Sequence, residues 1–237
     1  MTRQPKYHWQ FAEKEGGITR DTISGTEGIF LQGDTYQSCF GGHGRIGNAV
    51  RLKGKTASIN FGNKAGRFGT SDFTVAFGLR IESTYDHNDL DLIGNRKVHG
   101  HGNWFSLRLE DQERLTFAVD ENSEGKNCAM VKTRHLPGLT DARWHHIAIV
   151  RAGRTLKIYF DGALATEGAS KTGIANINSS IDVRLGYSHR VTPAAQYEDL
   201  RIYHDALNAT EIQSLITPVT QPFTVFTSET SLFCSND

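Results

Sequence analysis

The stretch from Trp144 to Gly162, WHHIAIVRAGRTLKIYFDG, decides the fold. It reads as two strands joined by a tight glycine turn at Gly153, with a second turn at Asp161-Gly162. In the second strand Leu156, Ile158 and Phe160 alternate with Lys157 and Tyr159, the two-residue period of a half-buried antiparallel strand. The first carries Ile147, Ile149 and Val150 beside His146 and Ala148, so it is apolar on both faces and belongs in the middle of a sheet.

The same alternation extends outward. Phe73, Val75, Phe77, Leu79 and Ile81 point one way in DFTVAFGLRI, and Thr74, Ala76, Gly78 and Arg80 the other. One face suits a core; the small-residue face is left for something else. Phe105, Leu107 and Leu109, a turn at Asp111-Gln112-Glu113, then Leu115, Phe117 and Val119 predict a hairpin. Further strands are expected around Trp9, in 44–54 where a turn enters a strand, in 56–61, 90–95 and 181–185, and around Leu200 and Ile202. One short helix is expected after Asn208, with Glu211 completing a capping box and Pro218 closing it. About a dozen short strands and one late helix predict an all-β, two-sheet antiparallel jelly-roll sandwich with one short C-terminal helix. The domain spans 1–217; 218–237, rich in Thr and Ser, reads as a C-terminal extension, either a tail strand or a linker.

Composition narrows the function. At 237 residues a sheet-on-sheet core needs no disulfides. Lys plus Arg is 26 and Asp plus Glu is 26, a balance that gives no reason to expect nucleic acid or an anionic membrane as partner. Cys39, Cys128 and Cys234 match no zinc spacing and leave two readings open, a Cys39–Cys128 bridge or free thiols. No run of about 18 apolar residues suggests a membrane span. MTRQPKYHWQF lacks the apolar core of a signal peptide, which leaves an intracellular protein or an excised domain of a secreted or surface protein.

Motifs in chain order carry a resemblance. They are the aromatic strand at Trp9, Asp21-x-x-Ser24-Gly25, Gly44-Arg45-Ile46-Gly47-Asn48-Ala49, Asp72-Phe73-Thr74-Val75 and Leu92-Ile93-Gly94-Asn95. Trp144-His145-His146, Arg184-Leu185-Gly186, Glu198-Asp199-Leu200-Arg201-Ile202-Tyr203, Ala206-Leu207 and Glu211-Ile212 follow. Over roughly residues 7–216 this resembles the laminin-G-like branch of the concanavalin A-like lectin/glucanase superfamily. The resemblance implies a jelly roll that binds glycans or proteins, with catalysis in only some branches. It also implies a structural calcium, held here by Asp21 with Glu198 or Asp199; an ion pair with Arg201 or Arg20 is the alternative. Two departures stand out: Ala195-Gln196-Tyr197 precedes the acidic pair where relatives carry glycine, and the loop NRKVHGHGN, 95–103, is basic and His-rich.

Catalytic signals are weak. The glucanase Glu-x-Asp-x-Glu strand is missing, and Glu110-Asp111-x-Glu113 falls in a hairpin turn, where alternation cannot align its carboxylates in a groove. No alginate-lyase strand motif, Gly-x-Ser-x-Gly elbow or phosphate loop occurs. Sugar recognition asks for an aromatic platform and polar side chains that satisfy hydroxyls in pairs. Asn95, Arg96, His99, His101, Asn103 and Trp104 supply both, and Asp120 and Asn127 follow the neighbouring hairpin strand. These residues cluster at one rim if the strands that carry them are neighbours. His99 and His101 are also candidates for a transition metal, with Asp86, His87, Asp89 or Asp91. The expectation is a non-catalytic lectin-like module for a glycan or glycoconjugate. A protein-binding module of the same fold, and a lyase or hydrolase, are the alternatives.

Overall fold

The computed structural model describes residues 3–31, 40–54, 57–82, 89–96, 100–186 and 192–216. These hold sixteen strands: β1 (Tyr7–Trp9), β2 (Ile18–Arg20), β3 (Glu27–Leu31), β4 (Gly42–His43), β5 (Asn48–Gly54), β6 (Ser58–Asn60), β7 (Phe73–Ile81), β8 (Asp89–Gly94), β9 (Trp104–Glu110), β10 (Arg114–Glu121), β11 (Lys126–Lys132), β12 (His145–Ala152), β13 (Thr155–Phe160), β14 (Ala163–Ala169), β15 (Arg184–Leu185) and β16 (Thr192–Tyr203). One helix, α1 (Ala209–Ile216), follows. The strands form two antiparallel sheets. The first runs β14-β13-β12-β7-β16-β5-β4, with β1 also on β16, and the second β11-β10-β9-β8-β15-β6-β3-β2.

The hairpin from Trp144 to Gly162 is built as its residues require. Ala152 pairs with Thr155 across Gly153-Arg154, where Gly153 takes φ 56°. Phe160 pairs with Ala163 across Asp161-Gly162, both at positive φ (47° and 81°), the type I′ geometry that an Asp-Gly pair favours. β12 lies between β7 and β13 and is buried along its length, which accounts for its apolar sequence on both faces.

The inward faces meet in one core. Phe73, Val75, Phe77, Ile147, Ile149, Leu156 and Ile158 of the first sheet pack against Phe105, Leu107, Leu115, Phe117 and Val119 of the second. Arg151 is buried at the edge of this core. Its guanidinium donates to the carbonyls of Gly69 (2.8 Å), Ala175 (2.9 Å) and Ser71 (3.0 Å from Nε) and lies 5.0 Å from the Phe73 ring centroid. Each of its three nitrogens finds a carbonyl, which lets a cation stay in an apolar setting.

The small-residue face of β7 has its partner in the chain itself. Ala76, Ala148, Val150, Tyr159 and Tyr203 form a second apolar cluster with Leu207, Ile212 and Leu215, so α1 covers the outer face of the first sheet. Thr74 fastens the approach: its hydroxyl donates to Asp205 O (2.8 Å) and accepts from Leu207 N (3.0 Å). The helix is capped by the expected box, Glu211 N to Asn208 Oδ1 (2.9 Å) and Asn208 N to Glu211 Oε2 (2.8 Å). Tyr159, expected on a polar face, is therefore buried. Cys128 is a free thiol, so no Cys39–Cys128 bridge is formed; Cys39, Cys234 and the extension 218–237 lie outside the described residues.

Candidate functional site

Alternation along β9 and β10 sends Phe105, Leu107, Leu115 and Phe117 into the core and Trp104, Ser106, Arg108, Thr116, Ala118 and Asp120 to the opposite face. Ser106, Thr116, Ala118 and Asp120 on that face are all buried, as are the residues of the first sheet that α1 covers. Cross-strand register arranges it in rows. Gly94, Ser106, Ala118 and Met130 lie opposite one another across β8, β9, β10 and β11. Three inter-strand spacings make this row about 14 Å long. It is a floor of small side chains ending at the exposed Met130. Gly94 must be small: a Cβ there would stand 2.4 Å from Phe105 O. Trp104 and Asp120 form one wall; Asp91, Arg108, Thr116 and Lys132 form the other.

Five polar atoms around this trough are buried without a hydrogen-bond partner: Arg96 Nε, Trp104 Nε1, Ser106 Oγ, Arg108 Nε and Thr116 Oγ1. An unmet buried polar group costs about 1–3 kcal/mol. Their concentration on one sheet face is the site's main chemical signal. They offer donors at Arg96, Trp104 and Arg108 and two-way hydroxyls at Ser106 and Thr116. On the far wall Glu110 holds Arg108 Nη2 (2.8 Å) and Lys132 Nζ (2.7 Å).

The rim lies where β8, β9, β10 and β11 end. His101 Nδ1 is 2.7 Å from Asp120 Oδ2, and Cys128 Sγ joins them so that one ligand atom from each lies within 4.8 Å of the others. Asp120 is wholly buried, while His101 and Cys128 are exposed. Burial pushes the Cys128 thiol up, Asp120 adds to this, and Arg96 opposes it.

The expected ligand residues divide. Arg96, His101, Trp104 and Asp120 come together as the rim and near wall. Asn95 instead braces the backbone, accepting from Phe105 N (2.9 Å). Asn103 donates to Asn176 O (2.5 Å) and Asn127 to Glu121 Oε2 (2.8 Å). His99, Asp86 and His87 lie outside the described residues. Trp104 is not an open stacking platform: it is 7% exposed, and Arg96 lies 4.8 Å from its ring centroid. Its N–H is buried without a partner. Ser106, Arg108 and Thr116 were missed by the sequence reading, although the outward phase of WFSLR and LTFAVD carries them.

The expected calcium residues do not make a cradle for the ion. Asp21 accepts from His8 N (2.7 Å), Ile23 N (3.0 Å), Ser24 N (2.7 Å) and Ser24 Oγ (2.6 Å). Burial raises its pKa, but the Ser24 hydroxyl and these three N–H groups outweigh it and hold the carboxyl below its usual range. Asp199 pairs with His8 (2.6 Å) and Arg201 (3.0 Å). Glu198 accepts from Ile46 N (3.1 Å) with Arg45 3.8 Å away, and burial raises its pKa against both. Calcium wants six to eight free oxygens; here proton donors and cations already face the carboxylates. The Glu110 cluster is likewise dispersed into ion pairs, with Glu113 on His135.

Solved structures with the same fold include the binding domain of botulinum neurotoxin serotype G (TM-score 0.67, 18% identity, 90% of this chain and 50% of that one). The binding domain of Paraclostridial Mosquitocidal Protein 1 is comparable (TM-score 0.66, 19% identity, 89% and 51%). So is the receptor binding domain of botulinum neurotoxin D (TM-score 0.67, 15% identity, 90% and 52%). The chain thus spans about half the length of the structures it matches. No curated protein sequence matches it. A laminin-G family profile, described as the concanavalin A-like lectin/glucanases superfamily, matches residues 53–213. The chain belongs to the laminin-G branch of the concanavalin A-like lectin/glucanase superfamily.

Proposed function

We propose that this chain is a non-catalytic binding module that takes a glycan in the trough across the outer face of the second sheet. One observation carries the reading: five buried, unpartnered polar atoms surround a floor of Gly94, Ser106 and Ala118. A ligand dense in hydroxyls satisfies such a set, because each hydroxyl both donates and accepts. An apolar peptide face would leave it unmet. Recognition then rests on paired hydrogen bonds more than on stacking, since Arg96 already covers the Trp104 ring. The solved structures of this fold are described as binding or receptor-binding domains, which agrees with a binding role. No described helix is long and apolar enough to cross a membrane.

The test pairs a glycan array with Thr116→Val and Trp104→Phe. Each substitution removes one unpartnered group; Thr116→Val keeps volume, while Trp104→Phe also shortens a buried ring. Thr116→Val should raise unfolding free energy by about 1 kcal/mol, because the orphaned hydroxyl is gone. The same change should weaken glycan binding about three- to tenfold, the worth of one neutral hydrogen bond. Trp104→Phe should weaken binding similarly. A blank array, or binding indifferent to both changes, overturns the reading; a blank array with a captured protein favours the protein-binding alternative.

A further inference from the structure

We infer that His101, Asp120 and Cys128 form a three-ligand site for zinc at the rim of the second sheet. Their ligand atoms lie within 4.8 Å of one another. In a tetrahedral zinc site, bonds of about 2.0–2.3 Å put neighbouring ligand atoms about 3.3–3.5 Å apart. The existing cluster is thus within about 1.3 Å of that spacing. The donor set fits the metal: a thiolate, an imidazole and a carboxylate suit zinc, whereas the sulfur argues against calcium and magnesium. Three protein ligands leave a fourth position open, the arrangement of sites in which zinc also holds water or a bound molecule.

Local construction supports the assignment. Asp120 sits in the register break of β10 against β11, between Val119 and Glu121, and a bulge of this kind re-aims a side chain. Its Oδ1 accepts from Glu121 N (2.8 Å), which fixes the carboxylate and leaves Oδ2 facing His101 at 2.7 Å. A metal entering between His101 Nδ1 and Asp120 Oδ2 takes the place of the proton they share. His101 reaches this position because residue 125 is glycine: a Cβ there would stand 2.3 Å from the imidazole, and its φ is +71°. Asn122 and Asn127, at φ 61° and 56°, shape the turn that delivers Cys128.

Zinc binding is measured without any glycan present, so its outcome is separate from that of the trough. The tag-free chain, reduced with a phosphine and stripped of metal, is titrated with zinc chloride by calorimetry and with cobalt(II) by absorption. One equivalent of zinc should bind, and cobalt should give a thiolate-to-metal charge-transfer band with tetrahedral d–d intensity. Loss of an outer-shell partner alone costs about 10–100-fold in metal affinity, so His101→Ala and Cys128→Ser should each weaken zinc by about tenfold or more. Cys128 is exposed, so the melting temperature of metal-free Cys128→Ser should match the parent, whereas His101→Ala leaves the buried Asp120 carboxylate without its partner and should lower it. Absence of saturable binding near one equivalent overturns the site. Zinc affinity that is lost in Cys128→Ser but unchanged in His101→Ala also overturns it, because a single thiol then accounts for the binding.

Discussion

Acidification from pH 7.5 to 4.5 should destabilise the protein through one buried histidine. His146 is 2% exposed on the outer face of the first sheet, opposite Gly78, and its Nδ1 has no partner. Burial, reinforced by Arg45, lowers its pKa to about 4; Asp199 and Asp161 oppose the shift. The unfolded chain protonates this imidazole at an ordinary value of about 6.5, so between that pH and about 4 it binds more protons than the folded chain does. Stability from this group is therefore present above about pH 6.5 and lost as the pH falls toward 4. At about 1.4 kcal/mol per pKa unit the loss reaches roughly 2–3 kcal/mol by pH 4.5. His145 has the opposite sign. Its hydrogen bond to Asp161 (2.8 Å) raises its pKa against burial, so its contribution is full below about pH 6.5 and is lost as the pH rises through its raised value. Adjacent residues thus act in separate pH windows. Urea unfolding at half-unit steps from pH 4.5 to 8.5 measures both. Glu198, raised by burial, gains stability on acidification, so the difference between parent and variant is the decisive quantity. His146→Gln should flatten the acid limb, and His145→Gln the alkaline one. An acid limb of equal slope in His146→Gln would refute the reasoning.

Removing the cap of α1 with Asn208→Ala should cost about 1 kcal/mol. The near-ultraviolet signal of Tyr159 and Tyr203, which the helix covers, should change with it. Arg151→Lys keeps the charge but loses the fork that reaches the carbonyls of Gly69, Ser71 and Ala175, so denaturant titration should show a loss of about 2 kcal/mol or more. Because Asp21, Glu198 and Asp199 already face donors of the chain, calcium added to the metal-stripped protein should leave the melting temperature unchanged; a calcium-dependent rise would restore the ion.

The fold was legible because its strands announce themselves. Alternation in DFTVAFGLRI and in the Trp144–Gly162 hairpin assigned inward and outward faces, and the core bears this out. The Asn208–Glu211 box placed the helix. The pairing of distant strands was legible only through the family resemblance, because register between β8, β15 and β6 is set by tertiary contacts rather than by any local turn. The role of the Asn residues misled for a related reason. Asn95, Asn103 and Asn127 are polar and loop-borne, as ligand residues are, but each is held by a backbone or side-chain group that the sequence does not place beside it.

The choice between the two sheets follows from how each treats its outward face. A jelly roll has two such faces, and a strand with small outward residues, such as Thr74, Ala76 and Gly78 of β7, leaves room above it. In the first sheet that room is taken: Leu207, just ahead of α1, and Ile212 and Leu215 of α1 lie over Ala76 and Ala148, and Glu198 folds across Gly78, where a Cβ would stand 2.3 Å from its Cγ. In the second sheet the same device, Gly94 with the buried Ser106 and Ala118, is flanked by groups that are polar and unmet. Apolar small-residue faces are closed by the chain's own helix because burial drives the closure. A polar small-residue face gains nothing from such a cover, since its donors and acceptors would still lack partners. It gains from a ligand that brings them. The outward residues of β9 and β10, more than the histidine-rich loop beside them, are therefore where substitutions should separate stability from binding.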